Sequence, residues 1–349
     1  MGKNELGFRL RLENLLKDRR LLVVLVVGIP LLLIGLWIAF DLTVGISLLV
    51  FGMAVLILSA NNAVGHSINI ASALRFPPLM IGLIVVSIGT DFPEMVNSFV
   101  SSSLGHGDIN VGDSFGSVLA QMTLIFGLVA LVGRQIKVDR NVVMTLGAAE
   151  ILALIASLSM VEKGYITLMN AFFLVVSWPI LLLLTRSIAK DPGTTSLRSN
   201  RRLSYHLALA VLAFVGVAVG SYIVIQSVIV MSAVLYVPEY FISFFVIAIG
   251  TSLPELAVDL TAIRKKQYEI AIGDAIGSSI IDAGFSIGIG ALFFSPLRLT
   301  SRFAETTGLY ALFASFVVLV VLAWRRKLDT KAGLLFIILY AVSYLTLFI

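Results

Sequence analysis

The sequence has no cysteine and only three histidines among its 349 residues. It therefore excludes a disulfide framework, a thiolate metal site and a thiol nucleophile, and any bound metal must be held by oxygen ligands or by these few histidines. Charged residues are also scarce, at 13%, whereas 59% of the residues are hydrophobic and the mean hydropathy is +1.03. Soluble domains do not have this composition, so the sequence predicts an all-α polytopic membrane protein.

Long hydrophobic runs divide the chain into eleven predicted helices. A hydrocarbon core of about 30 Å is crossed by roughly 20 apolar residues, and the chain is long enough for this number of spans. The first run follows a basic segment, as in a signal sequence, but it is long and no small-residue cleavage pattern follows Phe40. We therefore expect it to be retained as an extra N-terminal transmembrane helix. The runs cover residues 21–40, 44–72, 79–104, 111–133, 141–160, 165–185, 207–233, 241–263, 270–294, 304–324 and 332–349.

Basic residues mark one side of the membrane. If the N-terminus is cytoplasmic, only Lys163, Arg298 and Arg302 of the 25 Lys and Arg residues fall in loops on the outer side. Cytoplasmic loops of membrane proteins carry this excess, so it explains the net charge of +5 better than nucleic-acid binding does. We predict a multi-pass protein of the plasma membrane with a cytoplasmic N-terminus and an extracytoplasmic C-terminus. Its expected partners are inorganic cations and the lipid bilayer, without nucleic acid or an obligatory protein partner.

Two short motifs occur twice, at a constant offset of 161 residues. Gly89–Glu94 reads GTDFPE and returns as GTSLPE at Gly250–Glu255, and Gly112–Ser117 reads GDSFGS and returns as GDAIGS at Gly273–Ser278. Each copy lies in a block of five predicted spans, and an odd number of spans turns the second block over in the membrane. Inverted repeats are typical of secondary transporters, which bind their substrate near the midplane.

The repeat and the loops together predict the organisation of the chain. We expect a ten-helix core of two inverted five-helix repeats plus the extra N-terminal helix. The predicted parts are the cytoplasmic N-terminus with the extra helix at 1–43, the first repeat at 44–185, a cytoplasmic linker at 186–206 and the second repeat at 207–349.

Carboxylates in the repeated motifs indicate a cation site. Glu94 and Glu255 lie near the middle of their spans, where an ionised group costs about 2.5 to 3.5 kcal/mol, and no Lys or Arg lies at comparable depth in any span. Pro93 and Pro254 precede them, and proline removes a helix hydrogen bond and frees the carbonyl four residues earlier. Carboxylate and carbonyl oxygens are the ligands that Ca²⁺ and Na⁺ prefer, so a cation is the expected neutralising partner.

Further oxygen-bearing side chains fall on the same helix faces. Thr90 and Thr251 lie one turn before the two glutamates. The second motif supplies Ser117 with Gln121 in one half and Ser278 with Asp282 in the other, also at i, i+4 spacing. The glycines of this motif recur every four residues, which suits close helix packing and a functional role equally well. Among the acids, we expect ion ligands at Glu94, Glu255 and Asp282.

The doubled pair of motifs resembles the alpha-repeats of the calcium/cation antiporter superfamily and, within it, the prokaryotic sodium/calcium exchangers, whose hallmark is Gly-Thr-Ser-x-Pro-Glu followed by a Gly-Ser helix. The resemblance covers the ten spans from residue 44 onward. It implies a transporter, not an enzyme, in which Ca²⁺ and Na⁺ compete for four central sites during alternating access, with no cofactor besides the transported ions. The cation-binding residues that it implies are Ser87, Thr90, Asp91, Glu94, Ser117, Gln121, Ala248, Thr251, Ser252, Glu255, Ser278 and Asp282.

Two positions depart from the family pattern. Asp91 stands where the family usually has serine, and Gln121 stands where it usually has asparagine or aspartate. Clustered like charges favour protonation of one member, with Asp91 or Asp282 as the candidates, and this would admit H⁺ to the cycle. The sequence thus leaves open exchange of Ca²⁺ for Na⁺, coupling to H⁺, and transport of Mg²⁺ or Mn²⁺. An intramembrane enzyme acting on lipid phosphates is disfavoured, because the midplane lacks the Arg or Lys that binds phosphate.

Other polar residues receive structural interpretations. Asp113 and Asp274 are expected to cap their helices, with a gateway role on the ion path as the alternative. Asp259, one turn beyond Glu255, is a candidate for a role on the entry path that symmetry does not support, because its counterpart in the first repeat is Ser98. His66 is expected to be a hydrogen-bonded packing residue and not a metal ligand, since no second histidine is nearby in sequence.

Overall fold

The computed structural model describes residues 42–72, 87–185, 203–300 and 302–345. In these residues the chain is predominantly helical, with four very short strands. The elements of the first half are α1 (Leu42–Ser72), α2 (Ser87–Thr90), α3 (Phe92–Ser103), α4 (Gly107–Leu119), a π-helical segment (Ala120–Ile125), α5 (Phe126–Gly133), β1 (Gln135–Lys137), α6 (Arg140–Val161), β2 (Tyr165–Ile166) and α7 (Leu168–Thr185).

The second half repeats this order. Its elements are α8 (Leu203–Leu235), α9 (Glu239–Ile242), a π-helical segment (Ser243–Ile247), α10 (Ala248–Thr251), α11 (Leu253–Arg264), α12 (Tyr268–Ile280), a π-helical segment (Ile281–Ser286), α13 (Ile287–Phe293), β3 (Leu297–Arg298), α14 (Phe303–Arg325), β4 (Lys327–Asp329) and α15 (Thr330–Ser343).

Apolar helices of membrane-spanning length make up most of the described structure. Two shorter apolar helices accompany them, at Leu168–Ile180 and Thr330–Ser343, and together they fall on nine of the predicted runs. The prediction of a helical integral membrane protein is therefore confirmed. The long segments are Leu42–Ser59, Gly107–Gly133, Arg140–Val161, Tyr205–Leu235, Glu239–Arg264, Tyr268–Phe293 and Phe303–Arg325.

Some predicted segments cannot be compared with the structure. The extra helix at 21–40 and most of the predicted linker at 186–206 lie outside the described residues, and the run at 79–104 is described from residue 87 onward.

The internal repeat is visible in the element bounds. Helices α3 and α11 both have 12 residues, α4 and α12 both have 13, and each of the latter two continues directly into a π-helical segment of 6 residues. All of these pairs keep the offset of the sequence motifs. The same local sequence therefore produces the same local structure twice.

The two longest helices, α1 and α8, are equivalent elements of the repeat and pack antiparallel. An added Cβ at Gly52 of α1 would lie 3.0 Å from the backbone nitrogen of Val224, and one at Gly220 of α8 would lie 2.7 Å from the backbone nitrogen of Leu56. Residue numbers thus rise along one helix as they fall along the other. Glycine at these points lets the two backbones approach closely, as in other membrane helix pairs.

Helix α4 lies at the centre of the molecule, because all 13 of its residues are buried. Gly116 in this helix faces the carbonyl oxygen of Phe244, which would lie 2.3 Å from an added Cβ, and Gly112 similarly faces the carbonyl of Tyr240 at 2.8 Å. Close packing thus explains the glycines of the first copy. Two antiparallel strand pairs, β1 with β4 and β2 with β3, connect loops of the two halves.

Candidate functional site

Both motif-bearing helices are interrupted at the same place. Helix α2 ends at Thr90 and α3 begins at Phe92, so that Asp91 lies at the break with φ −76° and ψ 0°. Ser252 has the matching position between α10 and α11, with φ −82° and ψ 6°. Pro93 and Pro254 follow two residues later, and proline favours such a break because it has no N–H to donate. The predicted interruptions are therefore present in both copies.

Three carboxylates meet beside these breaks. Asp91, Glu94 and Glu255 each offer an oxygen, and the three oxygens lie within 4.8 Å of one another. All three side chains are at most 1% exposed, and their carboxylate oxygens receive no hydrogen bond from a donor group of the described residues. The buried polar and charged side chains of the described structure include no Lys or Arg. The negative charge of this cluster thus has no protein counter-ion in that part of the chain.

The spacing of the cluster suits a calcium-sized ion. Two oxygens on opposite sides of a Ca²⁺ at its usual ligand distances lie about 4.6 to 5.2 Å apart. An isolated buried carboxylate is costly, and a bound cation removes that cost by replacing the lost water. The donor set consists of oxygen atoms only, which favours Ca²⁺, Mg²⁺ or Na⁺ over metals that prefer nitrogen or sulfur.

The two motif threonines contact acids of the opposite repeat. Thr251 Oγ1 donates to Asp113 Oδ1 at 3.1 Å, and Thr90 Oγ1 lies 3.5 Å from Asp274 Oδ1. Thr90 Oγ1 also lies 3.5 Å from the hydroxyl of Ser278. Each threonine hydroxyl is thereby held at the interface between the two halves, next to the glutamate one turn further on.

The capping prediction for Asp113 and Asp274 is wrong. Their helices begin at Gly107 and Tyr268, so both acids lie in the second turn, beyond the first-turn N–H groups that a cap would bind. The hydrophobic runs mark only where the apolar stretch begins, at residue 111 in the first copy. The helix itself begins four residues earlier, so the runs could not locate its first turn. Their carboxylates instead position the threonines across the repeat interface.

Gln121 and Asp282, which occupy equivalent positions in the two repeats, bond directly to each other. Gln121 Nε2 donates to Asp282 Oδ2 at 2.9 Å, and Ser286 donates to the other oxygen, Oδ1, at 2.9 Å. Ser279 donates to Gln121 Oε1 at 3.1 Å. Both residues lie in π-helical segments, a feature common at functional sites. Unlike the three clustered acids, Asp282 is already held by neutral donors.

The other predicted site residues are buried around this centre. The hydroxyl of Ser87 lies 3.2 Å from Asp274 Oδ1, and that of Ser117 lies 3.5 Å from Thr251 Oγ1. Ala248 begins the short helix α10 before the second break, and the hydroxyl of Ser252 at the break has no partner among the described residues. The structure thus brings all twelve predicted residues into one buried region, where their role as ion ligands stays a prediction.

The side chains of Asp259 and Asn97 extend the site beyond the predicted set. Asp259 is 1% exposed, lies one turn after Glu255, and places its carboxyl group against that of Asp274. Neither oxygen of Asp259 has a donor partner among the described residues. In the first repeat Asp113, the counterpart of Asp274, instead accepts a hydrogen bond from the side-chain amide of Asn97 at 2.5 Å. The i, i+4 spacing from Glu255 was the available sequence signal for Asp259.

Comparisons with known proteins identify the family of the chain. A family model described as sodium/calcium exchanger protein matches residues 44–186 and 205–349. The inner membrane protein YrbG of Escherichia coli is 29% identical over 302 residues, which cover 82% of this chain and 91% of that protein. The sodium/calcium exchanger MaX1 of Methanosarcina acetivorans is 26% identical over 350 aligned positions, covering 88% of this chain and 99% of the relative.

A solved structure gives the same result at the level of the fold. The sodium-calcium exchanger NCX_Mj superposes with a TM-score of 0.62 at 25% sequence identity, covering 86% of this chain and 97% of that one. The family match extends over both halves of the chain and includes both copies of the acidic motif. This chain is therefore a member of the sodium/calcium exchanger family, a family of membrane transporters.

Proposed function

We propose that this protein is a secondary active antiporter that exchanges Ca²⁺ for Na⁺ across the plasma membrane by alternating access. The observation that carries the proposal is the cluster of Asp91, Glu94 and Glu255, whose buried oxygens lie within 4.8 Å without a donor partner among the described residues. A Ca²⁺ bound there neutralises two of the three charges. Na⁺ ions bound at several neighbouring oxygens neutralise the same charges, and this shared use of the acids makes the two kinds of ion compete.

The proposed ligand assignment carries the family's motif positions over to this chain, so Asp91 counts among the Na⁺ ligands although it lies in the same cluster. Glu94 and Glu255, with Thr90 and Thr251, form the Ca²⁺ site at the helix breaks. The flanking Na⁺ sites and the central pair use the remaining predicted residues, which are Ser87, Asp91, Ser117, Gln121, Ala248, Ser252, Ser278 and Asp282. We propose no cofactor and no catalytic role for any of them.

We also propose the architecture of ten core helices in two inverted repeats, preceded by an extra N-terminal helix, with the N-terminus cytoplasmic and the C-terminus outside. The antiparallel packing of the equivalent helices α1 and α8 supports the inversion. The two ranges matched by the family model, 44–186 and 205–349, support the division into repeats at 44–185 and 207–349. The names of the relatives MaX1 and NCX_Mj support the choice of Na⁺ and Ca²⁺.

Flux measurements test this proposal. Purified protein in proteoliposomes loaded with Na⁺ is diluted into Na⁺-free buffer containing ⁴⁵Ca²⁺, and uptake is compared with liposomes that have Na⁺ on both sides. We expect uptake only with the gradient, and reversal of the gradient should release the accumulated Ca²⁺. Absence of gradient-dependent flux in both directions would refute Na⁺/Ca²⁺ exchange.

A second candidate keeps the fold and changes the ions. Asp91 adds a fourth acid to Glu94, Glu255 and Asp282, and it stands opposite Ser252 in the other repeat. This asymmetry favours coupling to H⁺, or transport of Mg²⁺ or Mn²⁺. The discriminating experiment imposes a pH gradient alone on the same vesicles. Divalent-ion uptake that disappears in Asp91→Ser supports H⁺ coupling, and competition of ⁴⁵Ca²⁺ uptake by Mg²⁺ or Mn²⁺ reports the selectivity.

A further inference from the structure

Two of the chain's three histidines meet away from the carboxylate site. His66 Nδ1 lies 3.0 Å from His206 Nδ1, although 140 residues separate them in sequence. His66 belongs to the C-terminal part of α1 and His206 to the N-terminal part of α8, so the pair joins the two longest helices. Tyr205 packs edge-on against both imidazole rings. The expectation that His66 is hydrogen-bonded is confirmed, but the argument against a metal site, which assumed no second histidine nearby, fails in three dimensions.

The geometry is that of two ligands for one metal ion. Zn²⁺ binds imidazole nitrogen at about 2.0 to 2.1 Å, and two such nitrogens in a tetrahedral site lie about 3.3 Å apart. The observed separation of 3.0 Å, at which the two rings share a hydrogen bond, is close to this value. His206 is 6% exposed and His66 is half-buried, so both rings are largely shielded by the described residues.

The donor chemistry separates this pair from the carboxylate site. Imidazole nitrogen suits Zn²⁺, Ni²⁺ and Cu²⁺, whereas Ca²⁺ and Na⁺ prefer oxygen. We propose that His66 and His206 form a binding site for a borderline transition-metal ion such as Zn²⁺, with water completing the coordination. The metal connects α1 to α8 and therefore fixes the two equivalent helices of the repeats relative to each other.

A direct binding measurement tests the site without using transport. Tag-free protein in detergent is titrated with Cu²⁺, and electron paramagnetic resonance is used to detect nitrogen hyperfine coupling from imidazole. We expect one nitrogen-coordinated Cu²⁺ per chain, lost in His66→Gln and in His206→Gln. His106→Gln is the matched control, because His106 pairs with Glu239 at 2.8 Å elsewhere in the molecule. Zn²⁺ should compete for the site, and its affinity should fall by at least about tenfold in either variant, since losing even an outer-shell partner costs that much.

Several outcomes distinguish this proposal from simple packing and from the proposed function. Unchanged nitrogen coupling in both His66→Gln and His206→Gln, or its loss in His106→Gln, would overturn the site. Thermal unfolding without metal checks that the variants are folded. The double variant Glu94→Gln/Glu255→Gln should retain the Cu²⁺ signal, so a failure of Na⁺/Ca²⁺ exchange would leave the histidine site standing.

Discussion

Replacement of Glu94 by glutamine removes one charge from the carboxylate cluster and leaves its shape nearly unchanged. The clustered oxygens lie within 4.8 Å of one another. At an effective dielectric constant of about 20, two ionised groups at this distance repel by about 3.5 kcal/mol, and the substitution removes two of the three pairs. The variant without ions should therefore be at least as stable as the wild type, while the bound cation loses a charged ligand.

The loss in affinity is expected to be large. Removing one partner of a buried charge pair costs about 2 to 5 kcal/mol, which corresponds to a roughly 30- to 5,000-fold weaker affinity for Ca²⁺. Two measurements follow from this. Thermal unfolding without Ca²⁺ should occur at the wild-type temperature or above it, and added Ca²⁺ should no longer stabilise the protein. Uptake of ⁴⁵Ca²⁺ into proteoliposomes should fall to the level of empty liposomes.

Glu305→Gln is the matched control for this experiment, because it makes the same chemical change at an exposed glutamate in the first turn of α14. This variant should transport at the wild-type rate. Wild-type uptake by Glu94→Gln, or equal loss of uptake in Glu305→Gln, would contradict the assignment of the cluster as the ion site.

Three further predictions concern packing, the threonine contacts and the additional acid. Gly116→Ala should lower the unfolding temperature, because the facing carbonyl oxygen would lie 2.3 Å from the new Cβ, whereas Gly284→Ala should be tolerated, because the nearest atom outside its own helix lies at 3.6 Å. Thr251→Val removes one of the two side-chain donors to the buried Asp113 and should destabilise the protein by about 1 to 3 kcal/mol and slow exchange. Thr261→Val, on an exposed helix face, is the control in both assays. Asp259→Asn should raise the Ca²⁺ concentration for half-maximal uptake several-fold without abolishing transport; complete loss of uptake would instead make Asp259 an essential ligand.

The helix breaks and the depth of the two glutamates could be predicted because their causes are local. Pro93 and Pro254 interrupt their helices by removing one N–H, wherever the helix packs. The depth of Glu94 and Glu255 within their spans sets the free-energy cost of ionising them, and this depth can be read from hydropathy. The structure places the breaks where the first argument puts them and buries both glutamates as the second requires.

The contacts between the halves could not be predicted, because they depend on packing. The bond between Gln121 and Asp282 joins π-helical segments of the two repeats, and no sequence pattern predicted these segments. The pair of His66 and His206 depends on the antiparallel contact of α1 with α8, which brings residues 140 positions apart to 3.0 Å. Sequence spacing describes one helix at a time, and these contacts belong to two.

The direct bond between Gln121 and Asp282 has a consequence for the energies of the proposed alternating-access cycle. Two equivalent positions can touch only where the pseudo-twofold axis of the repeat passes between them. In a perfectly symmetric molecule, rotation about that axis would convert the state open to one side into the state open to the other, and both would have equal free energy. Here a neutral amide and an acid face each other on the axis, so the two states related by this rotation differ in free energy. The chain is expected to rest facing one side of the membrane even without an ion gradient.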